Sequence, residues 1–360
     1  MEFKDIEIEK FRGIKRLAIE DFKQINLIAG GNNSGKSSIL EAIFLLTGLS
    51  SPDLSIRINN FRDYSVRDSD DLNLIFYNLE TSNPIVFKSN QLLNGETREL
   101  FIYPLFSNNL SENKVETIIN ESGQISSLNV PKNSMLGLKL DFSLKEANKP
   151  VIKNTSRIIA EGDGSFRAIR ANYNEKTKSL FINSKFAFST VIERVDQIIT
   201  NKQDNEIIEV LKNLEPKITK ISVSANRIVN VDIGLPSLIP INVMGDGIRK
   251  LLTILTAIYE VRGGILLVDE IDNGLHYSTM KTLWKAIIIA CKKFNVQVFA
   301  TTHNIETLRY LKELISEEIQ DFSSNVRHYT LKKLASGEVK SYKYDFDKFE
   351  YALNQGIEIR

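Results

Sequence analysis

Apolar and polar positions along the chain follow three rhythms, and each predicts a different kind of element. Unbroken apolar runs, INLIA (25–29), ILLV (265–268) and VQVFATTH (296–303), read as short strands buried on both faces. Helical spacing appears where Ile39, Leu40, Ile43, Phe44 and Leu46 follow one another before a stop at Gly48. It returns in Ile248, Leu251, Leu252, Leu255 and Ile258. It appears again over 186–220, where Val191, Val195 and Ile198 mark one apolar face and Ile207, Ile208, Leu211 and Leu214 a second. Those two helices join near Lys202 to Asn205. Strict alternation marks LNLIFYNLE (72–80), ELFIYPLF (99–106) and LGLKLDFSLK (136–145), with turn signals NGE and ESG between them, so 71 to about 170 reads as β-rich. After residue 303 the pattern predicts a hairpin, NVRHYTLKKL and VKSYKYDF around an SGE turn, then a short helix in DKFEYALNQG. No heptad run and no internal repeat is present.

Composition narrows the class without naming a partner. Among 360 residues, 42% are hydrophobic and 25% charged, and the net charge is +1. No global basic field therefore calls for nucleic acid. One cysteine, Cys291, excludes an intrachain disulfide framework and any cysteine-rich zinc site, and its setting in LWKAIIIACKKF predicts buried helical packing. The opening MEFKDIEIEKFRG lacks a signal-peptide pattern, and no apolar run reaches the ~18 residues of a membrane span. A soluble cytoplasmic protein with no membrane partner is expected.

The chemistry starts at Gly30-Gly31-Asn32-Asn33-Ser34-Gly35-Lys36-Ser37, a full match to G-x-x-x-x-G-K-[ST] set between a predicted strand and a predicted helix. Glycines let backbone N–H groups close on phosphates, and the helix N-terminus adds partial positive charge. ATP is the expected ligand. Asn32, Asn33, Ser34, Gly35, Lys36, Ser37 and Ser38 would line it; Lys36 would reach the β and γ phosphates, and Ser37 would hold Mg2+. The run ILLV ends in Asp269-Glu270, acids at the edge where open α/β sheets bind ligands. Asp269 would hold Mg2+, and Glu270 would orient and deprotonate the attacking water. His303, ending VQVFATTH, would sense the γ-phosphate or that water. His276 and His328 have no such support and are expected as surface or packing residues.

A further anion site is predicted where Gly245 and Gly247 flank the start of the 248–258 helix, with Asp246 as its cap. One phosphate loop already serves each chain, so this helix end makes most sense over the nucleotide of a second copy. That predicts a homodimer with two ATP molecules at the interface.

The order FRGIK (11–15), GGNNSGKSS, MGDGIRK, LLVDEIDNGLHYS and ATTH resembles the ABC-type ATPases of the structural-maintenance-of-chromosomes (SMC) and RecF class. Within it, the closest likeness is to the ATPase part of overcoming-lysogenization-defect (OLD) proteins and their AAA-labelled bacterial relatives. The resemblance covers about 1–60 and 220–360. It implies that Arg12 approaches the nucleotide and that Asn273, Gly274 and the residues to His276 form a D-loop at the dimer interface. It also implies an α/β fold: an ABC/SMC-type P-loop ATPase core carrying a β-rich insertion and a short helical hairpin. Its parts fall at 1–70 (core), 71–182 (β-rich), 183–220 (helical) and 221–360 (core). VMGDG departs from the serine-bearing LSGG signature of that class.

Residues 37–268 lie between Lys36 and Asp269, a gap far longer than in compact transporter ATPases, which argues against that class. OLD proteins carry a TOPRIM nuclease after the ATPase; residues 304–360 are too few for one, and Asp345, Asp347 and Glu350 read as hairpin and helix-start acids. The expectation is an ATP-hydrolysing dimeric switch, with higher assembly left open, that controls a separate effector such as a nuclease or toxin in anti-phage defence. The alternative is a RecF-like ATPase that handles DNA or RNA. For it, Lys149, Lys153, Arg157, Arg167 and Arg170 offer basic residues, which a solvated face explains better.

Overall fold

In a computed structural model, which describes residues 3–90, 95–107, 134–161, 163–183, 188–275 and 277–359, the three apolar runs lie side by side. The chain opens with β1 (Asp5–Phe11), β2 (Ile14–Glu20), β3 (Ile25–Gly30), α1 (Lys36–Thr47) and α2 (Leu54–Asn60). Next come β4 (Ile85–Asn90), β5 (Thr97–Phe106), β6 (Met135–Lys145), β7 (Ile152–Glu161), β8 (Ser165–Ile169) and β9 (Ser179–Ile182). Helices α3 (Phe188–Thr200) and α4 (Asp204–Leu211) lead to short strands β10 (Lys220–Val223), β11 (Val229–Asp232) and β12 (Ile239–Pro240). The last part holds α5 (Asp246–Glu260), β13 (Ile265–Val268), α6 (Tyr277–Phe294), β14 (Gln297–Thr302) and α7 (Ile305–Glu318). It ends with β15 (Val326–Lys333), β16 (Val339–Tyr344) and α8 (Phe346–Asn354).

The central sheet runs β16-β15-β3-β14-β13-β9. Its neighbours are parallel except for the β15–β16 hairpin. Register brings Thr302 opposite Ala29, and Val268 opposite both Ala300 and Ile182, so the strands end together at one edge. Their side chains part by alternation. Ile25, Leu27, Leu266, Val268, Val298 and Ala300 enter a core shared with helices α3 to α8. Ile28, Ile265, Leu267 and Phe299 enter the core on the other face. Burial on both faces is what makes these strands read as unbroken apolar runs.

That second core is closed by a seven-stranded antiparallel sheet in the order β2-β1-β4-β5-β6-β7-β8. Helix α1 lies between the two sheets and is buried at every position from Ser38 to Thr47. The β-rich segment 71–182 does not stand apart from the N-terminal hairpin: β4 pairs with β1, Ile8 facing Phe87. Strand β9, inside the same predicted segment, belongs to the central sheet. The stretch 72–80 is not a strand. It forms tight 3-10 turns at Asp70–Ile75 and Tyr77–Leu79. The Asp68 carboxylate accepts from the N–H groups of Asp70 and Asp71 at 3.0 and 3.1 Å and starts the first turn. Leu72 and Ile75, three residues apart, then bury fully, which suits a period of three.

The paired helices over 186–220 pack as expected, with Val191, Val195, Ile198, Ile207 and Leu211 all in the helical core. Cys291 is buried there too. At the far edge Asp345 caps α8, accepting from the Lys348 N–H at 3.0 Å. Among the described residues no helix is long and apolar enough to cross a membrane.

Candidate nucleotide site

The loop after β3 starts at a glycine that no larger residue can replace without a clash. A Cβ on Gly30 would stand 2.6 Å from Ser34 Oγ and 2.7 Å from the Leu331 carbonyl of β15. Gly35 caps α1 with a left-handed φ of 98°, and Asn33 is also left-handed at 59°, a conformation Asn tolerates. The Lys36 ammonium donates to the Gly30 and Gly31 carbonyls at 2.8 and 3.0 Å. Burial lowers its pKa, and the charges of Asp269, Glu270 and Asp272 oppose that shift. Ser34 Oγ is buried without a hydrogen-bond partner, an orphaned polar atom facing the loop interior. Asn32 and Asn33 are exposed, and Ser37 is half-buried in the first turn of α1. Ser38 Oγ accepts from Arg62 at 3.1 Å.

Across the edge, β13 delivers the acids and β14 braces them. Thr301 is fully buried; its hydroxyl donates to Asp269 Oδ1 at 2.5 Å and accepts from the Glu270 N–H at 2.8 Å. Its carbonyl takes the Ile271 N–H at 3.0 Å. Glu270 sits at a left-handed φ of 52°, a backbone strain of about 1–3 kcal/mol of the kind that collects at functional sites. Sequence reasoning missed Thr301 as a brace, because only the strand order sets β14 against β13. The end of β9 lies beside the acids: the Asp269 N–H donates to Ile182 O at 2.8 Å, and the next residue, Asn183, is held by its Nδ2 donating to Phe61 O at 3.1 Å. Lys250 of α5 is half-buried. Burial lowers its pKa, and Asp272, Glu270 and Asp269 oppose the shift in that order.

Magnesium fits this donor set. Among the described residues no group of three or more His, Cys, Asp or Glu could hold a metal alone. Mg2+ ordinarily takes one or two protein oxygens beside substrate phosphates, which Ser37 and Asp269 can supply.

The remaining expected residues are placed with differing outcomes. Arg12 has other partners than a nucleotide. Its guanidinium donates to Glu41 Oε2 at 2.6 Å, to Asn59 Oδ1 at 2.9 Å, and to the carbonyls of Ile58 and Leu74 at 3.2 and 3.3 Å. Glu41, 1% exposed on α1, also binds Arg62 at 2.6 Å. A buried carboxylate between two guanidiniums explains that geometry, since each charge leaves water only when paired. At the second glycine turn, Gly245 is the cap of α5, with φ 91° and no side-chain cap. Asp246 lies in the first turn instead of capping it, and its carboxylate accepts from Arg249 at 3.3 Å. Gly247 rests near Thr279. His303 is exposed just beyond β14, and Asn273 and Gly274 form an exposed turn in which the Asn273 N–H donates to Glu270 O at 3.0 Å. His276 lies outside the described residues. His328 is a packing residue: it is buried, and its Nε2 lies 3.0 Å from Ile359 O and 3.1 Å from Thr330 Oγ1.

Comparisons with known proteins agree with this geometry at the level of fold and family. The chain is 27% identical over 353 residues to an "ATP/GTP phosphatase" of Helicobacter pylori, covering 91% of this chain and 92% of that one. A shorter match, 41% over 46 residues, reaches the "DNA replication and repair protein RecF" of Nitrosococcus oceani, with 13% of each chain covered. Among solved structures, an SmcHead bound to the C-winged helix domain of ScpA superposes with a TM-score of 0.50 at 13% identity, covering 98% of this chain and 100% of that one. The fold is therefore the α/β fold of SMC-head ABC-type ATPase domains. The family model for "AAA domain, putative AbiEii toxin, Type IV TA system" matches residues 25–309, from β3 into α7, and the chain belongs to that family of ATPase domains.

Proposed function

We propose that this chain is a Mg2+-dependent ATPase working as a dimeric switch that controls a separate effector, a nuclease or toxin, in anti-phage defence. The observation that carries the hydrolytic part is the strand order β3-β14-β13, which ends the phosphate-loop strand and the acid-bearing strand at one sheet edge with Thr301 of β14 bonded to Asp269 between them. The loop N–H groups and Lys36 bind the phosphates. Ser37 and Asp269 hold Mg2+, which when bound neutralises phosphate charge. Thr301 keeps Asp269 oriented, and Glu270 takes the proton of the attacking water. The Gly245–Gly247 turn covers the nucleotide of a second copy, so that binding closes the dimer and hydrolysis opens it. A link to toxin systems is supported by the family's description, a putative AbiEii toxin of a type IV TA system; control of a separate effector rests on motif order. The finer likeness to OLD ATPases rests on motif order.

The test is a pull-down from the native host with the Glu270→Gln chain as bait and Lys36→Ala as control. Glu270→Gln is expected to bind ATP and retain a nuclease or toxin that Lys36→Ala does not. Absence of any protein held by one form alone would refute the switch.

A RecF-like role on nucleic acid has one observation in its favour, the 46-residue match to RecF. Three of the five basic residues offered for it carry ion pairs: Lys149 with Glu146, Arg167 with Glu161 at 3.3 Å and Arg170 with Asp53 at 2.9 Å. DNA-stimulated hydrolysis that falls steeply with salt would favour this reading instead.

A further inference from the structure

Arg62 lies just past the end of α2, and its side chain returns to the first turns of α1. Its own N–H donates to the Asn59 carbonyl at 2.9 Å, which closes the turn. Two guanidinium nitrogens then meet two residues three apart on α1. Nε donates to Glu41 Oε1 at 2.6 Å, and Nη2 donates to Ser38 Oγ at 3.1 Å. Glu41 is 1% exposed, and its other oxygen accepts from Arg12 at 2.6 Å, so the carboxylate is held from two sides. Ser38 is 5% exposed and follows Ser37 directly. The turn itself is anchored away from α1. The Phe61 ring stacks on Phe181 of β9, with centroids 4.6 Å and planes 21° apart. The Phe61 carbonyl accepts from Asn183 Nδ2 at 3.1 Å. Arg62 therefore reaches the loop helix from a fixed base on β9. Its side chain stays 41% exposed, so burial of its own surface does not account for the placement. A hydroxyl carries one proton and two lone pairs. With a guanidinium on one lone pair, the Ser38 proton points away from Arg62.

We propose that Arg62 is a positioning residue for the nucleotide: its two-pronged contact with Ser38 and Glu41 holds the Ser38 hydroxyl with its proton free to donate to a phosphate oxygen in the loop. It acts through Ser38 and touches no phosphate itself. Glu41 sets the angle of the fork, because it fixes Nε while Nη2 reaches Ser38. A lysine in this place has one ammonium and cannot span both partners in the same way. The inference rests on the reading of residues 30–38 as the nucleotide loop.

The test is a double-mutant cycle on ATP affinity, read by fluorescence titration, with Arg62→Met, Ser38→Ala and the two combined, beside steady-state hydrolysis. Arg62→Met is expected to weaken ATP binding about five- to tenfold, with kcat at saturating ATP within about twofold of wild type. Ser38→Ala should lose a similar factor. The combined variant should lose no more than either alone, because both remove one interaction. Arg62→Lys should bind ATP nearly as weakly as Arg62→Met. If Arg62→Met fails to fold, Arg62→Lys, which keeps a cation beside Glu41, carries the cycle with Ser38→Ala. Wild-type affinity in a folded Arg62→Met or in Arg62→Lys overturns the inference. So do losses that multiply in the combined variant, which would mean that Arg62 acts independently of Ser38, and so does a fall in kcat at unchanged affinity. Lys36→Ala separates the two readings. If it binds ATP like the wild type, the loop assignment falls; if it loses ATP while Arg62→Met keeps it, the role of Arg62 alone is removed.

Discussion

Thr301 does the work of two hydrogen bonds with one hydroxyl, holding both Asp269 Oδ1 and the Glu270 N–H. Thr301→Val keeps the shape and removes both, leaving a carboxylate and a backbone donor unsatisfied at a half-buried site. We expect a stability loss of about 1–3 kcal/mol by urea unfolding, together with a fall in kcat larger than any change in ATP affinity. Normal kcat in a folded Thr301→Val chain would show that the brace is dispensable. Gly30 is held by sterics: a Cβ there would meet Ser34 Oγ and the Leu331 carbonyl at 2.6 and 2.7 Å. Gly30→Ala should therefore push the loop away from β15 and weaken nucleotide binding, read by fluorescence titration, while Gly31→Ala, where nothing lies within 4 Å, should bind normally. Equal affinities for the two variants would contradict the steric account. These contrasts are invisible in the chain alone, where Gly30 and Gly31 are adjacent and alike. The loop, Asp269 and Glu270 could be read because their residue types and neighbours are local signals. Thr301 could not, because its hydrogen bonds to Asp269 and Glu270 depend on which strand lies beside β13.

The elements best foreseen are those whose burial pattern is uniform. Strands β3, β13 and β14 bury both faces and α5 buries one, so each carried its period in its own residues. The stretch 72–80 misled for a physical reason: Leu72, Leu74 and Phe76 alternate by type, but burial takes Leu72, Ile75 and Phe76 and leaves Leu74 half-buried, with Asp68 closing the turn from outside the stretch. The pairing of β4 with β1 joins residues about eighty positions apart and leaves no local signature. β15 carries a pH-sensitive contact. His328 is fully buried among Tyr344, Phe349 and the Ile359 carbonyl, and burial pushes its pKa down from 6.5 to about 4. The unfolded chain then binds the extra proton first, so stability contributed by neutral His328 is present above about pH 6.5 and is lost as pH falls toward 4. Acid unfolding should thus ease by up to about 3 kcal/mol across that window. His328→Gln should flatten it, and an unaltered pH profile in that variant would assign the acid sensitivity elsewhere.

For the whole molecule, the arrangement predicts two bodies around one bound nucleotide. In the proposed dimer the loop, α1 and the acid edge would face it from one copy, and the Gly245 turn of α5 from the other. The N-terminal sheet is fastened to α1 by Glu41 between Arg12 and Arg62, and by the buried Arg98, which donates to the Leu46 carbonyl at 2.9 Å and to Glu96 at 2.7 Å. The middle and the C-terminal end of the phosphate-loop helix are therefore tied to one sheet, and nucleotide binding would move that sheet as a unit with the loop. The measurement that tests this most directly is the solution mass of Glu270→Gln with and without Mg2+ and ATP, by light scattering after gel filtration, alongside its single-turnover hydrolysis. The account predicts a monomer without nucleotide, a doubled mass with it, and hydrolysis slowed enough that the dimer persists through the column. A Glu270→Gln chain that stays monomeric with ATP bound and hydrolyses at the wild-type rate would contradict it.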